Sequence, residues 1–431
     1  MISKYLASLF FLGLVFVGQA FQPQPKVNQE RLERRIVDLA RFGLQDNGET
    51  ERVAYSEADL ESRDWLIKTM NNLGLEVSID YAGNIIGKRK GSDPAKKPIV
   101  FGSHTDRVPN GGNYDGCVGS MAALEVIEVL NEAQITTSHP LEVLIFADEE
   151  GAIMGSRAMV GKLGKKALSV TNSTGFTVGE GIMRLGGDTT KIAEVARKKG
   201  DLSAFLELHI EQGGILEKEN LDIGIVEGIV GLKWWDVIFT GFANHAGTTP
   251  MNARQDALLA AAKFIVAVNE ITNSFEGRQV GTVGRIKAEP GAPNVIPGKV
   301  VTSLEIRDLS SEVIEKVFQA ISAKSKEIEV ESKVSIEILS LDTTANPALM
   351  DSSIQAEIKN SATRLGLSTR FMPSGAGHDA QDMALIAPTG MIFVPSKGGI
   401  SHSPKEYTSP NDMANGANVL LTTILSLDKK L

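Results

Sequence analysis

The stretch KPIVFGSHTDRVPNGGNYDG, Lys97–Gly116, opens on a short apolar run and closes on a histidine, two aspartates and a cluster of glycines. A run of four to eight apolar residues bounded by turn residues reads as a strand buried on both faces. Three later stretches share the pattern: LEVLIFADEEG (Leu141–Gly151), AFLELHIEQGG (Ala204–Gly214) and GMIFVPSKGGISHSP (Gly390–Pro404). Helical patterns lie between them, so the expected fold is α/β, a mixed and mostly parallel sheet with helices packed on it. Upstream, ERLERRIVDLARFG and DWLIKTMNNLG carry apolar residues at helical spacing, and LEVSIDYAGNIIGKRKG alternates like a hairpin.

Between Ile223 and Asp342 the texture changes to strand, helix, strand, strand, helix, strand, from KWWDVIFTGFA through VSIEILSL. That order is the split βαβ arrangement of a small α+β, ferredoxin-like domain. A parallel-type strand resumes at Gly390, so residues 223–342 read as an insertion into a catalytic domain made of 21–222 and 343–431. Gly224, Gly228 and Gly231 lie near the first crossing, where they would absorb the rotation of a closing lid.

With 431 residues and 42% hydrophobic content the chain can bury a large core. Its net charge of -9 leaves no basic surface for phosphates, which argues against nucleic acid as a partner. The first twenty residues, MISKYLASLFFLGLVFVGQA, have one lysine, an uncharged apolar run and small residues at Gly18 and Ala20. This is the signal-peptide pattern, and it implies export to a periplasm or secretory pathway with no stable membrane association after cleavage. A retained anchoring helix is the competing reading. The one cysteine, Cys117, excludes an intrachain disulfide.

Each of the four strands ends on side chains that bind metals: His104, then Asp148, Glu149 and Glu150, then His209, then His402. In open α/β sheets the binding crevice lies outside the carboxyl ends of the strands, so these groups should converge. His104, Asp115, Glu150, His209 and His402 would give two divalent ions three protein ligands each if Asp115 bridged them. Asp106 can hold the other imidazole nitrogen of His104. The glycines at 111, 112 and 116 let the chain double back and bring Asp115 beside His104. With Glu150 on metal, Glu149 is free to act as general base. In the inserted segment, a protonated His245 in GFANHAGTTPM is suited to an oxyanion. Asn294 in PGAPNVIPG and Arg307 in LEIRDL, on what reads as an edge strand, are suited to a substrate carboxylate.

Taken together, GSHTDRVPNGGNYDG, FADEEG, LELHIEQG, GFANHAGTTPM, GAPNVIPG, LEIRD, PSGAGHDAQDM and GGISHSP resemble the segments of the hydantoinase/carbamoylase amidases. That group comprises N-carbamoyl-L-amino-acid hydrolases, β-ureidopropionases and allantoate amidohydrolases, and is related to aminoacylase and carboxypeptidase metallopeptidases. The resemblance implies one ion on His104, Asp115 and His209 and another on Asp115, Glu150 and His402, with zinc, manganese, cobalt and nickel all compatible. It implies Gln212, His245, Asn294, Arg307 and His378 around a small ureido or carbamoyl carboxylate. It also implies a homodimer joined through the inserted domain, with His245 as a contact that a partner subunit supplies. Arg107, where relatives carry a small hydroxyl residue, and Cys117 after Asp115-Gly116 depart from the pattern.

The expected reaction is hydrolysis of a carbamoyl C–N bond to an amino acid, ammonia and carbon dioxide. Allantoate is an alternative substrate, and an aminoacylase or dipeptidase is a further one. An exported metal- or ureide-binding protein is the non-enzymatic alternative, but pure binding has no use for an unliganded Glu149.

Overall fold

The computed structural model describes residues 25–45, 50–151, 153–341 and 345–431; the expected signal segment 1–20 lies outside them. In chain order the strands are β1 (Glu76–Ile79), β2 (Ile85–Arg89), β3 (Ile99–His104), β4 (Leu141–Phe146), β5 (Ala204–Ile210), β6 (Ile223–Ile229), β7 (Gly231–Thr240) and β8 (Asn244–His245). They continue as β9 (Val280–Thr282), β10 (Ile286–Glu289), β11 (Val295–Ile296), β12 (Lys299–Asp308), β13 (Ser335–Ser340), β14 (Ala348–Leu349), β15 (Thr369–Ser374) and β16 (Thr389–Val394).

The large sheet runs β1-β2-β4-β3-β5-β16-β6-β14, with β15 also beside β6. Its centre, β4-β3-β5-β16, is parallel throughout, and antiparallel pairs close it on both sides. All residues of these four strands are buried, and successive residues divide between two cores as the strand period of two requires. Ile99, Phe101, Val143, Ile145, Leu206 and Leu208 join the core under the helices Cys117–Glu132 and Pro410–Lys430. Val100, Leu144, Phe146 and Phe205 join the core on the other face. Burial on both sides explains why the sequence shows unbroken apolar runs rather than alternation.

A second sheet, β10-β12-β7-β13 with β9 beside β12, is antiparallel. Trp235, Val237 and Phe239 of β7 and Val300, Leu304 and Ile306 of β12 pack on the helices Ala257–Ser274 and Ser311–Ser332. Alternation then puts Trp234, Asp236, Ser303, Glu305 and Arg307 on the opposite, half-exposed face. Arg307 therefore sits on an interior strand rather than an edge, because β12 pairs with β7 on one side and with β9 and β10 on the other.

The two sheets are joined by adjacent chain segments. β6 leads through Val230 into β7, and Leu232 exchanges backbone hydrogen bonds with Ala345 on the return, at 2.9 and 3.1 Å. Two of the glycines expected to act as hinges are closely packed. A Cβ at Gly224 would lie 2.8 Å from Met372 Sδ, and one at Gly228 would lie 2.8 Å from the Ala348 carbonyl oxygen. Among the described residues no helix is long and apolar enough to cross a membrane.

Candidate metal centre

His104 is the last residue of β3, Glu149 and Glu150 follow β4, His209 lies on β5, and His402 lies in the loop after β16. The parallel strands β4, β3, β5 and β16 are neighbours, so their carboxyl ends meet along one edge of the sheet. Asp115 reaches them from the turn that starts the helix Cys117–Glu132.

Among the described residues three groups of possible ligand atoms occur: first His104, Asp115 and His209, second Asp115, Glu150 and His402, and third Glu207, His209 and His378, which shares His209 with the first. The first two are the predicted pair of ligand groups and hold the five predicted ligands. Asp115 Oδ1 is 3.6 Å from His104 Nε2 and 3.1 Å from His209 Nε2. In the second group His402 Nε2 is 3.4 Å from both Asp115 Oδ2 and Glu150 Oε2. Ligands placed tetrahedrally about one divalent ion at the usual bond lengths are about 3.4 Å apart. The three longer separations suit a shared ion better than they suit hydrogen bonds, while Asp115 Oδ1 and His209 Nε2 at 3.1 Å are close enough for either. His104 Nε2 is buried and has no hydrogen-bond partner, a costly arrangement unless a cation takes its lone pair. The Nδ1 of His209 lies 2.9 Å from the Ile210 carbonyl oxygen, which places the proton there and leaves the lone pair on Nε2, the atom that also accepts from Gly116 N–H at 3.1 Å. The residues present fit divalent metal binding.

The charges at Asp115 and His402 agree with this, whereas burial, with Asp115 adding, raises Glu150 to about 7. Burial works against ionising Asp115, but His209, His104 and His402 outweigh it and hold the carboxyl well below the usual range. His402 is pushed up to about 9 by its contact with Asp115 against partial burial, with Glu150 adding. Glu149 behaves oppositely: burial drives it well above the usual range, His104 opposes, and Asp379 and Glu150 add to the rise. Its Oε2 is 3.6 Å from His104 Nε2, and it belongs to neither ligand group.

Asp106 touches His104 mainly through its main chain: Nδ1 is 3.2 Å from the Asp106 carbonyl oxygen and 3.6 Å from Oδ1. Its carboxylate instead accepts from the backbone N–H groups of Glu149 and Glu150 at 3.3 and 3.1 Å. It thereby ties the β3 end to the β4 end.

Gly116 has φ of 63°, and a Cβ there would fall on the imidazole of His104. Gly116→Ala is expected to cost about 1–2 kcal/mol from the left-handed backbone alone, and to displace His104 as well. Thermal unfolding together with metal content checks this; unchanged metal content would show that the ring can yield.

The predicted substrate residues fare differently. Gln212 donates from Nε2 to Asp115 Oδ2 at 2.6 Å, so it braces a ligand. His378 is buried against the ring of His209, with centroids 4.4 Å apart, and its Nε2 lies 2.8 Å from Ser374 Oγ. Burial, with His209 adding, holds it well below the ordinary imidazole range, hence neutral. His245 and Asn294 meet on the ribbon β8-β11, where Ala246 N–H donates to the Asn294 carbonyl oxygen at 3.0 Å. His245 Nδ1 accepts from Gly247 and Thr248 N–H at 3.0 and 3.2 Å. Arg307 donates to Glu305 and to the Gly375 carbonyl oxygen. Cys117 is buried, with Arg52 Nη2 3.1 Å from its sulfur. Arg107 is buried too, and burial with Arg52 nearby lowers its guanidinium to about 10. It borders, with Asp148, Glu150 and Asn172, a cavity of about 180 Å³.

Two buried carboxylates escaped the sequence reading. Glu406 accepts from Tyr114 and Asp115 N–H at 2.8 and 3.0 Å, and from Ser401 Oγ and His402 N–H at 2.9 and 3.3 Å. It joins the two loops that carry Asp115 and His402. Glu207, two residues before His209 on β5, accepts from Ser103 Oγ and Ala380 N–H at 2.7 and 2.9 Å. A charge inside the apolar run AFLELHI was the available signal for it; nothing local marked Glu406.

Known proteins share this arrangement of chain. The model of peptidase family M20/M25/M40 matches residues 100–426. An N-carbamoyl-L-amino acid amidohydrolase of Geobacillus stearothermophilus is 39% identical over 406 residues, which is 93% of this chain and 99% of that protein. The allantoate amidohydrolase of Bacillus subtilis is 34% identical, covering 90% of this chain and 95% of its own. Among solved structures, a hydantoinase/carbamoylase family amidase from Burkholderia multivorans superposes with a TM-score of 0.88 at 35% identity, over 94% of this chain and 99% of that one.

Proposed function

The chain belongs to peptidase family M20/M25/M40, and from that premise we infer that it is an amidohydrolase of the hydantoinase/carbamoylase kind. It cleaves the carbamoyl C–N bond of N-carbamoyl-L-amino acids or related ureido acids, releasing the amino acid, ammonia and carbon dioxide. The observation that carries the reading is Glu149, a buried carboxylate outside both ligand groups and 3.6 Å from a ligand imidazole. The similarity to carbamoyl amino acid hydrolases directs the chemistry to ureido acids rather than peptides.

His104, Asp115 and His209 would hold one divalent ion and Asp115, Glu150 and His402 the other, whether zinc, manganese, cobalt or nickel. Such a pair, when bound, makes water acidic and polarises a carbonyl. Glu149 takes the proton of the attacking water and returns it to the departing nitrogen. The raised affinity of Glu149 for protons suits the second half of that cycle. Gln212 and Ser401, both on Asp115 Oδ2, hold the shared carboxylate in one orientation. His245 offers its Nε2–H to the developing oxyanion, and Asn294 and Arg307 receive the substrate's carboxylate.

Residues 223–342 serve in this reading as a lid and dimerisation domain. His245 is exposed and, among the described residues, its side chain bonds only within its own turn, which supports its delivery to a site other than the one beside it, in a homodimer. Export and cleavage are read from residues 1–20, and cell fractionation with amino-terminal sequencing tests them: recovery in the cytoplasm overturns export, and an intact start on secreted protein overturns cleavage.

The test of function is ammonia release by the chain lacking residues 1–20, loaded in turn with manganese, cobalt or zinc. N-carbamoyl-β-alanine, several N-carbamoyl-L-amino acids and allantoate form the panel. Release from a carbamoyl amino acid is expected; release from allantoate alone would favour the function of the Bacillus relative, and silence with metal bound would overturn the reading. Arg307→Ala is expected to raise KM for carboxylate substrates about 10–100-fold, the worth of a charge-assisted pair of hydrogen bonds. An equal loss on a substrate lacking the carboxylate would assign Arg307 a structural role.

A further inference from the structure

Arg307 is the group that meets the substrate's carboxylate in the reading above, and a long side chain with several rotatable bonds binds a carboxylate well only if it is held beforehand. On β12, Glu305 lies two residues before Arg307, hence on the same face. The two carboxylate oxygens of Glu305 divide the guanidinium: Nε donates to Oε1 at 2.8 Å and Nη2 to Oε2 at 3.1 Å. Nη1 donates to the Gly375 carbonyl oxygen at 2.6 Å, in the loop between β15 and His378. A guanidinium has five N–H bonds. Three are thus engaged, and one remains on each terminal nitrogen, the donor set that a second carboxylate takes.

Glu305 is itself held. Its cross-strand neighbour on β7 is Trp234, whose indole Nε1 donates to Glu305 Oε2. Both carboxylate and guanidinium are about three-quarters removed from solvent, with side-chain exposures of 22% and 26%. The interaction is therefore less screened than a pair on open surface. Trp234, Glu305 and Arg307 form a chain of donors and acceptors anchored on two paired strands, and Arg307 ends it at the large sheet's loop.

We propose that Glu305 is a positioning residue for substrate recognition: it fixes the guanidinium of Arg307 so that its two remaining N–H bonds face an incoming carboxylate. The proposal rests on the ureido-acid reading of the site. Charge alone makes the opposite forecast, since a carboxylate beside Arg307 weakens its attraction for a second one. Removing the negative charge would then tighten substrate binding.

The experiment compares wild type, Glu305→Gln and Glu305→Ala on N-carbamoyl-L-methionine and on its neutral amide, N-carbamoyl-L-methioninamide, with thermal unfolding of each variant. Glu305→Gln keeps the volume and one acceptor oxygen, so it guards against a loss of folding in Glu305→Ala. Glu305→Ala is expected to raise KM for the acid about tenfold, the worth of losing a charge-assisted hydrogen bond behind the donor. Glu305→Gln should fall between, with kcat on the acid and KM on the amide moving less than about twofold in both variants. A lower KM for the acid in Glu305→Gln overturns the proposal in favour of competition for Arg307. Equal losses on acid and amide, or a loss that tracks the unfolding temperature, overturn it in favour of a structural role. If the wild-type chain hydrolyses no ureido acid, the functional reading fails first and the proposal falls with it.

Discussion

Glu149→Gln is expected to slow ammonia release about 10²–10⁴-fold while leaving metal content at the wild-type level. Glutamine preserves the size and the polar end of the side chain, so the packing of a residue that is only 8% exposed is kept. What it loses is the ability to accept and return a proton. The ligand groups do not include Glu149, which is why the ions should stay. Three forces set its proton affinity: burial raises it, the neighbouring His104 lowers it, and the acids Asp379 and Glu150 raise it further. Parallel assays of activity and bound metal distinguish the cases. Activity within tenfold of wild type would remove Glu149 as the base, and loss of metal along with activity would make it a ligand.

The strand ends were legible because they are anomalous. A histidine or a pair of acids at the end of a fully buried strand is costly unless something compensates, and four such ends in one parallel sheet point to one place. His104, Asp115, Glu150, His209 and His402 accordingly meet in the structure. What stayed hidden depends on pairings between distant segments. Glu406 binds the backbone of residues 114 and 115 from nearly 300 positions away, and no local pattern encodes that. The interior place of β12 follows from which strands flank it, which periodicity does not report. The tight surroundings of Gly224 and Gly228, where Met372, Phe393 and Ala348 leave no room for a side chain, were likewise hidden, because a sequence shows that glycine is permissive and not what it packs against.

Asp115→Asn is expected to empty both ion positions at once and reduce activity below detection, whereas His402→Ala should empty one. Asp115 supplies Oδ1 toward His104 and His209 and Oδ2 toward His402, so it is the one residue common to both groups. An asparagine keeps the shape and the backbone N–H that donates to Glu406, and the turn should survive. It withdraws the negative charge and turns one of the two oxygens into a donor, which then faces imidazole nitrogens and the amide of Gln212. Stability separates this from misfolding. A ligand that binds only the folded state stabilises it by about 2.7 kcal/mol when present at 100 times its Kd, so added manganese or zinc should raise the unfolding temperature of wild type. The same addition should leave Asp115→Asn unmoved, while the metal-free proteins unfold at similar temperatures. A variant that still gains stability from metal and still binds one ion per chain would show that Asp115 serves one ion only, and the shared-carboxylate centre would have to be rebuilt around His104 and His209 with a different third ligand.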